Sequence, residues 1–91
     1  MNTQQVLSRV ALAFEVEPAQ LQAGSRSTRL VQARQAAAWM LYFNQRHSYS
    51  DIAAALGYRD HSTAVWAVQA AANRAKRDQD YSDKLGQIAR M

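Results

Sequence analysis

Ninety-one residues with 48% hydrophobic content supply one small core, so a single domain over 1–91 is expected. Three glycines and one proline leave few of the breaks that an all-β chain needs, and an all-α fold is expected instead. The absence of cysteine excludes disulfides, thiolate zinc sites and cysteine nucleophiles. No apolar run approaches the roughly 20 residues of a membrane span, and Met1-Asn2-Thr3-Gln4-Gln5 has no signal-peptide character. A cytoplasmic protein is the expectation, with no membrane contact.

The net charge is only +4, but it is unevenly distributed. Residues 1–25 set Arg9 against Glu15 and Glu17, and residues 78–91 set Lys84 and Arg90 against three aspartates, a balance of −1 each. Residues 26–77 carry eight cations against Asp51 and Asp60, a balance of +6. A basic middle of this kind points to a polyanionic partner, with a merely solvated basic surface as the alternative.

Asn2 and Gln5 have capping-box spacing and open a helix from about Thr3 to Glu15. Val6, Val10 and Phe14 recur every fourth residue and give it an apolar face. Pro18 suits the first turn of a short helix over Pro18 to Gln22, anchored by Leu21. After a polar loop, Ser27 is a candidate N-cap for a long helix from about Thr28 to Gln45. Leu30, Ala33, Ala37, Met40 and Leu41 supply its periodicity, Arg34 is expected at the edge of that stripe, and Trp39, Tyr42 and Phe43 at the core or its edge. Ser50 is the expected cap of a short helix over Asp51 to Leu56, which Gly57 ends. Asp60 is the expected cap of a helix running to about Arg77, packed through Ala64, Val65, Val68, Ala71 and Ala72. A closing helix from about Tyr81 or Ser82 to Arg90 covers the core with Tyr81, Leu85 and Ile88.

The short helix, the turn at Gly57 to Arg59 and the longer helix together make a helix-turn-helix. That spacing also occurs in corners that bind nothing, but with the basic middle it favours double-stranded DNA as the partner. In such a motif the second helix enters the major groove with its N-terminal residues toward the base edges, and its free N–H groups favour phosphate. Ser62 and Thr63 can donate to phosphate, and Thr63 can offer its methyl to thymine. His61 can donate or accept at a base edge, while Asp60 either accepts from cytosine, caps the helix, or does both. Arg26 and Arg29 read as loop arginines placed to enter the adjacent minor groove, with simple solubility as the alternative.

Catalysis is not expected. Asp60, His61 and Ser62 include the triad residue types, but consecutive side chains point in different directions and cannot form a relay. Two histidines without an HExxH-like spacing do not make a zinc site, and there is no phosphate-binding glycine loop, so no cofactor is expected.

From about Val6 to Ile88 the chain resembles the C-terminal DNA-binding domain, domain IV, of the bacterial replication initiator DnaA. The family signature Gly-Gly-Arg-Asp-His-Thr/Ser-Thr-Val reads here as Gly57-Tyr58-Arg59-Asp60-His61-Ser62-Thr63-Ala64. Val31-Gln32-Ala33-Arg34-Gln35 matches the start of the family's long helix, Arg26 its loop arginine, and Ser48-Tyr49-Ser50-Asp51-Ile52 the entry to its helix-turn-helix. The resemblance implies about six helices, in a fold related to the tryptophan repressor, with the fifth in the major groove of a DnaA box. It also implies that Arg26 reads the minor groove, and that Arg34, Asp60, His61, Ser62 and Thr63 contact bases or phosphates. Arg59 and Trp66 complete the candidate DNA-binding set, although Arg59 has an alternative role in holding the turn.

Tyr58, Ala64 and Trp66 depart from the family pattern, and Tyr42 stands where many members carry a basic phosphate contact. Trp66 is expected first at the core or its edge, with thymine methyls or a partner protein as the other readings. The motor and assembly regions of a full initiator do not fit in ninety-one residues. The expected functions are regulation of replication initiation, by competition with the initiator for its sites, or of transcription. A protein-interaction module using the Trp66 face is the alternative, and nothing in the sequence supports a ligand-gated repressor.

Overall fold

The computed structural model describes residues 1–24 and 27–91. Its described residues form five α-helices and one 3-10 helix. They are α1 (Thr3–Phe14), the 3-10 helix (Pro18–Gln22), α2 (Thr28–Phe43), α3 (Tyr49–Leu56), α4 (His61–Arg77) and α5 (Gln79–Arg90). No helix among them is long and apolar enough to cross a membrane.

α2 is the axis of the domain. Every residue from Ala33 to Ala38 is buried, and Met40 and Leu41 continue the buried run. A helix buried on most of its circumference needs small side chains wherever a neighbour comes close, and the alanines at 33, 36, 37 and 38 provide them. α1, α3, α4, α5 and the 3-10 helix all pack against it. Ala64, Ala67, Val68 and Ala71 form the buried stripe of α4, while Val65 and Ala72 reach only partial burial.

The local signals explain where the helices start. In α1 the Asn2 side chain accepts from the Gln5 N–H at 2.8 Å and Gln5 returns the bond to the Asn2 N–H at 2.8 Å. Ser48, rather than Ser50, caps α3, accepting from the Asp51 N–H at 3.0 Å. The helix therefore begins at Tyr49, because Ser48 holds the extended backbone that a cap requires. α5 likewise starts earlier than its apolar pattern suggests, at Gln79, because Asp78 accepts from the Tyr81 N–H at 3.2 Å. Arg29 lies in the first turn of α2 and not in the preceding loop.

The aromatic residues divide. Trp39 and Tyr42 pack on the core and Tyr42 stacks on Tyr49 at 4.7 Å between ring centroids, but Phe43 is exposed. Tyr81 is buried, meets Phe14 edge-on at 5.8 Å and donates from its hydroxyl to the Gln32 carbonyl at 2.9 Å. Burial raises its phenol well above the ordinary range, with the Arg74 charge opposing.

The helix-turn-helix is fastened from below. Arg34 is buried, and its guanidinium donates to the Leu21 carbonyl at 2.9 Å and the Leu56 carbonyl at 2.7 Å. Gln22 adds a bond to the Ala55 carbonyl at 3.1 Å. Two carbonyls at the C-terminus of α3, which a helix leaves without partners of its own, are thus bonded by side chains from elsewhere in the chain. Gly57 ends α3 in the left-handed conformation, φ 69°, and a Cβ there would stand 2.5 Å from the Gln22 carbonyl oxygen. Its turn delivers the chain to Asp60, whose carboxylate caps α4 by accepting from the Thr63 N–H at 3.0 Å and the Thr63 hydroxyl at 3.2 Å.

Three outcomes follow for stability. Arg34→Ala is expected to cost about 3 kcal/mol in denaturant unfolding, since it strands two carbonyls bonded by a charged group, and Arg34→Lys should recover little because an ammonium lacks the planar fork. Gly57→Ala should cost about 1–2 kcal/mol for the left-handed backbone alone, with the Gln22 clash added. The bonds from Thr63 hold the Asp60 carboxyl below its usual range. A folded pKa below the unfolded one means that the cap stabilises fully above the ordinary carboxylate pKa, and that this contribution disappears as pH falls through the depressed value. The melting-temperature gap between wild type and Asp60→Ala should therefore be present at neutral pH and narrow on acidification below pH 3.8, the unperturbed value.

Candidate nucleic-acid interface

Arg59, Asp60, His61, Ser62 and Thr63 are all exposed and contiguous, covering the turn and the first turn of α4. The helix begins here, so its unpaired N–H groups and the positive end of its dipole lie under the same surface. The cap takes one of those N–H groups, and a carboxylate has acceptor sites left over after binding Thr63. Capping and accepting from a base amino group are therefore compatible roles for Asp60. The Thr63 hydroxyl spends its proton on Asp60 but keeps its lone pairs and its methyl.

The remaining sequence-derived site residues separate. Arg26 lies outside the described residues. Arg34, expected to touch DNA, is instead inside the fold: it holds the Leu21 and Leu56 carbonyls, and the Tyr58 ring covers it at 4.6 Å. Helical spacing places it at the edge of the buried stripe, and two carbonyl acceptors on other elements draw it fully inward. Arg59 makes no hydrogen bond or ring contact with any described residue, so the turn is held by Arg34 and Gly57 and the Arg59 guanidinium is left to solvent. Trp66, expected at the core or its edge, is 62% exposed. Ala64, Ala67 and Val68 fill the core side of α4, leaving no room there for an indole.

Tyr58, which replaces a glycine of the family signature, turns its ring inward onto Arg34 and the core. Burial pushes its phenol up, and the neighbouring Arg34 charge pulls the other way. The ring thus packs against the core side of the turn.

The basic middle is also less uniform in space than in sequence. Arg34 is internal, and Arg74 is half-buried with its guanidinium over the Tyr81 ring at 5.8 Å and its Nε without a hydrogen-bond partner among the described residues. Arg29 borders a groove with Phe14 and Lys84 on the α1–α5 side, and Arg46 borders one with Tyr42 and Phe43. Among the described residues of the turn and α4, the exposed cations are Arg59, Lys76 and Arg77. Along α4, Gln69 and Asn73 lie beyond Trp66 and join Gln35 and Arg77 around a second groove. Helical spacing from Ser62 was the signal that marks these two amides.

Comparison with known proteins accords with this geometry. A family model described as the bacterial dnaA protein helix-turn-helix matches residues 3–70, which include α1 through most of α4. The chain is 28% identical over 87 residues to the chromosomal replication initiator protein DnaA of Wolbachia sp. subsp. Brugia malayi, covering 96% of this chain and 19% of that protein. It is 28% identical over 91 residues to the DnaA of Wolbachia pipientis wMel, covering all of this chain and 20% of the relative. A 60-residue stretch is 40% identical to the DnaA of Pelobacter propionicus, covering 66% of this chain and 13% of that protein. The chain thus spans about a fifth or less of these relatives. With a helix-turn-helix whose turn and second helix present Arg59 to Thr63 and a family match over most of its length, the chain belongs to the bacterial DnaA helix-turn-helix family, a DNA-binding fold.

Proposed function

We propose that the chain is a sequence-specific double-stranded DNA-binding module for DnaA-box-like sites, acting by binding rather than by catalysis. The observation that carries the reading is the exposed, contiguous Arg59–Thr63 surface at a helix N-terminus, on a turn held from inside. α4 enters the major groove with Asp60 and His61 toward base edges, the Ser62 hydroxyl toward phosphate and the Thr63 methyl toward bases. Arg59 is free to neutralise a phosphate. Arg26, next to the long helix in sequence, is assigned to the minor groove. The relatives are replication initiators by name, and this chain spans only a small part of them. The role that fits such binding is the occupation of initiator-type sites in the cytoplasm, in competition with an initiator or at promoters.

A second reading draws on Trp66. An indole 62% exposed beside a groove lined by Val31, Tyr58 and Ala67 also suits a protein partner. Loss of partner capture in Trp66→Ala with DNA binding intact would favour it.

A labelled duplex bearing an initiator-type site is expected to bind much more tightly than scrambled DNA at physiological salt, and equal affinities would sink the sequence-specific reading. The affinity should fall as salt rises, and Arg59→Ala should reduce the log–log slope by about 0.9, the contribution of one phosphate. The melting temperature of that variant should match wild type, since Arg59 bonds nothing within the described fold.

A further inference from the structure

Trp66 stands on the outermost line of α4. At 100° per residue, Ser62, Trp66 and Asn73 fall within about 40° of one another. They lie opposite the buried Ala64, Ala67, Val68 and Ala71. Trp66 is therefore one turn deeper along the same line as Ser62, on the side of the helix that faces away from the core. When the start of such a helix meets base edges, the next residue on that line faces the groove floor.

The chemistry of this line narrows what it meets. α4 carries no acidic residue from His61 to Arg77, and the exposed Lys76 and Arg77 lie in its last turn. That charge suits a nucleic acid over an average protein surface. The indole has a single donor, no acceptor and a large apolar body. Beside it runs a groove of about 150 Å³ whose lining includes Val31, Tyr58, Thr63 and Ala67. Among the base edges of the major groove, thymine alone displays an apolar C5-methyl, next to the O4 acceptor. The indole matches both features.

We infer that Trp66 is a specificity-determining residue that packs its indole on the C5-methyl of a thymine in the major groove. The inference rests on the DNA-binding reading above. It makes the departure at position 66 a change in the sequence read and not a loss of affinity.

The test uses the full chain and the duplex recovered by selection from a random library. Each thymine is replaced in turn by deoxyuracil, which removes only the C5-methyl. In wild type, replacement at one or two positions should weaken binding about fourfold, the loss expected for one buried methyl-sized group. In Trp66→Ala, those same positions should become insensitive. A cost that is equal in both proteins places the methyl contact on another residue and overturns the inference. So does insensitivity of wild type at every position. Trp66→Ala with unchanged affinity and unchanged methyl dependence overturns it as well, and assigns the indole to a protein partner. If no sequence is enriched by selection, the DNA-binding reading itself fails and this inference with it. Because Trp66 is exposed, circular dichroism and melting of Trp66→Ala should match wild type, so that a binding change reports the contact.

Discussion

The helix-turn-helix depends on one buried cation. Arg34 reaches from α2 to the carbonyls of Leu21 and Leu56, joining the 3-10 helix to the end of α3. Those carbonyls point away from regular helical partners, so without the guanidinium each would be buried and poorly satisfied. A guanidinium fits the task because its donors lie in one rigid plane, and because its charge is favourable at a helix C-terminus. Tyr58 closes the arrangement with its ring centroid 4.6 Å from the guanidinium carbon. The turn that sets the angle between α3 and α4 is thus attached to the centre of the fold.

A turn bonded to the centre of the fold has a functional consequence. The residues at the start of α4 are exposed and hold few bonds of their own, so their positions follow from the backbone beneath them. Gly57 supplies the left-handed step and permits the Gln22 backbone to approach. Asp60 then fixes the first turn through Thr63. An interface preorganised in this way loses less conformational freedom on binding than a loop would.

Charge is divided between scaffold and surface. Arg34 belongs to the interior, between two carbonyls and the Tyr58 ring, and Arg74 is half-buried against the Tyr81 ring. Arg59, Lys76 and Arg77 are available to solvent. The net positive charge of the middle of the chain therefore overstates the number of cations that a polyanion would meet. The amides of Gln69 and Asn73 and the indole of Trp66 occupy the face between them, where an uncharged side chain can discriminate among bases without adding general attraction.

The sequence by itself determined the helical class, the order of the segments, the capping box at Asn2, the stop at Gly57 and the cap at Asp60. These depend on residues at most a few positions apart, whose bonds are local enough to be read from spacing. The polar cluster from Arg59 to Thr63 was legible for the same reason, since it is contiguous. The tertiary structure alone decided that Arg34 faces inward, because its acceptors lie 13 and 22 residues away. It also decided that Trp66 faces outward. An indole in a helical pattern is equally consistent with either side, until the alanines of α2 bring α4 too close for it to be buried. The starts of α3 and α5 moved for a smaller reason: serine at 48 competed with serine at 50, and Asp78 with the apolar pattern, and backbone conformation chose between them.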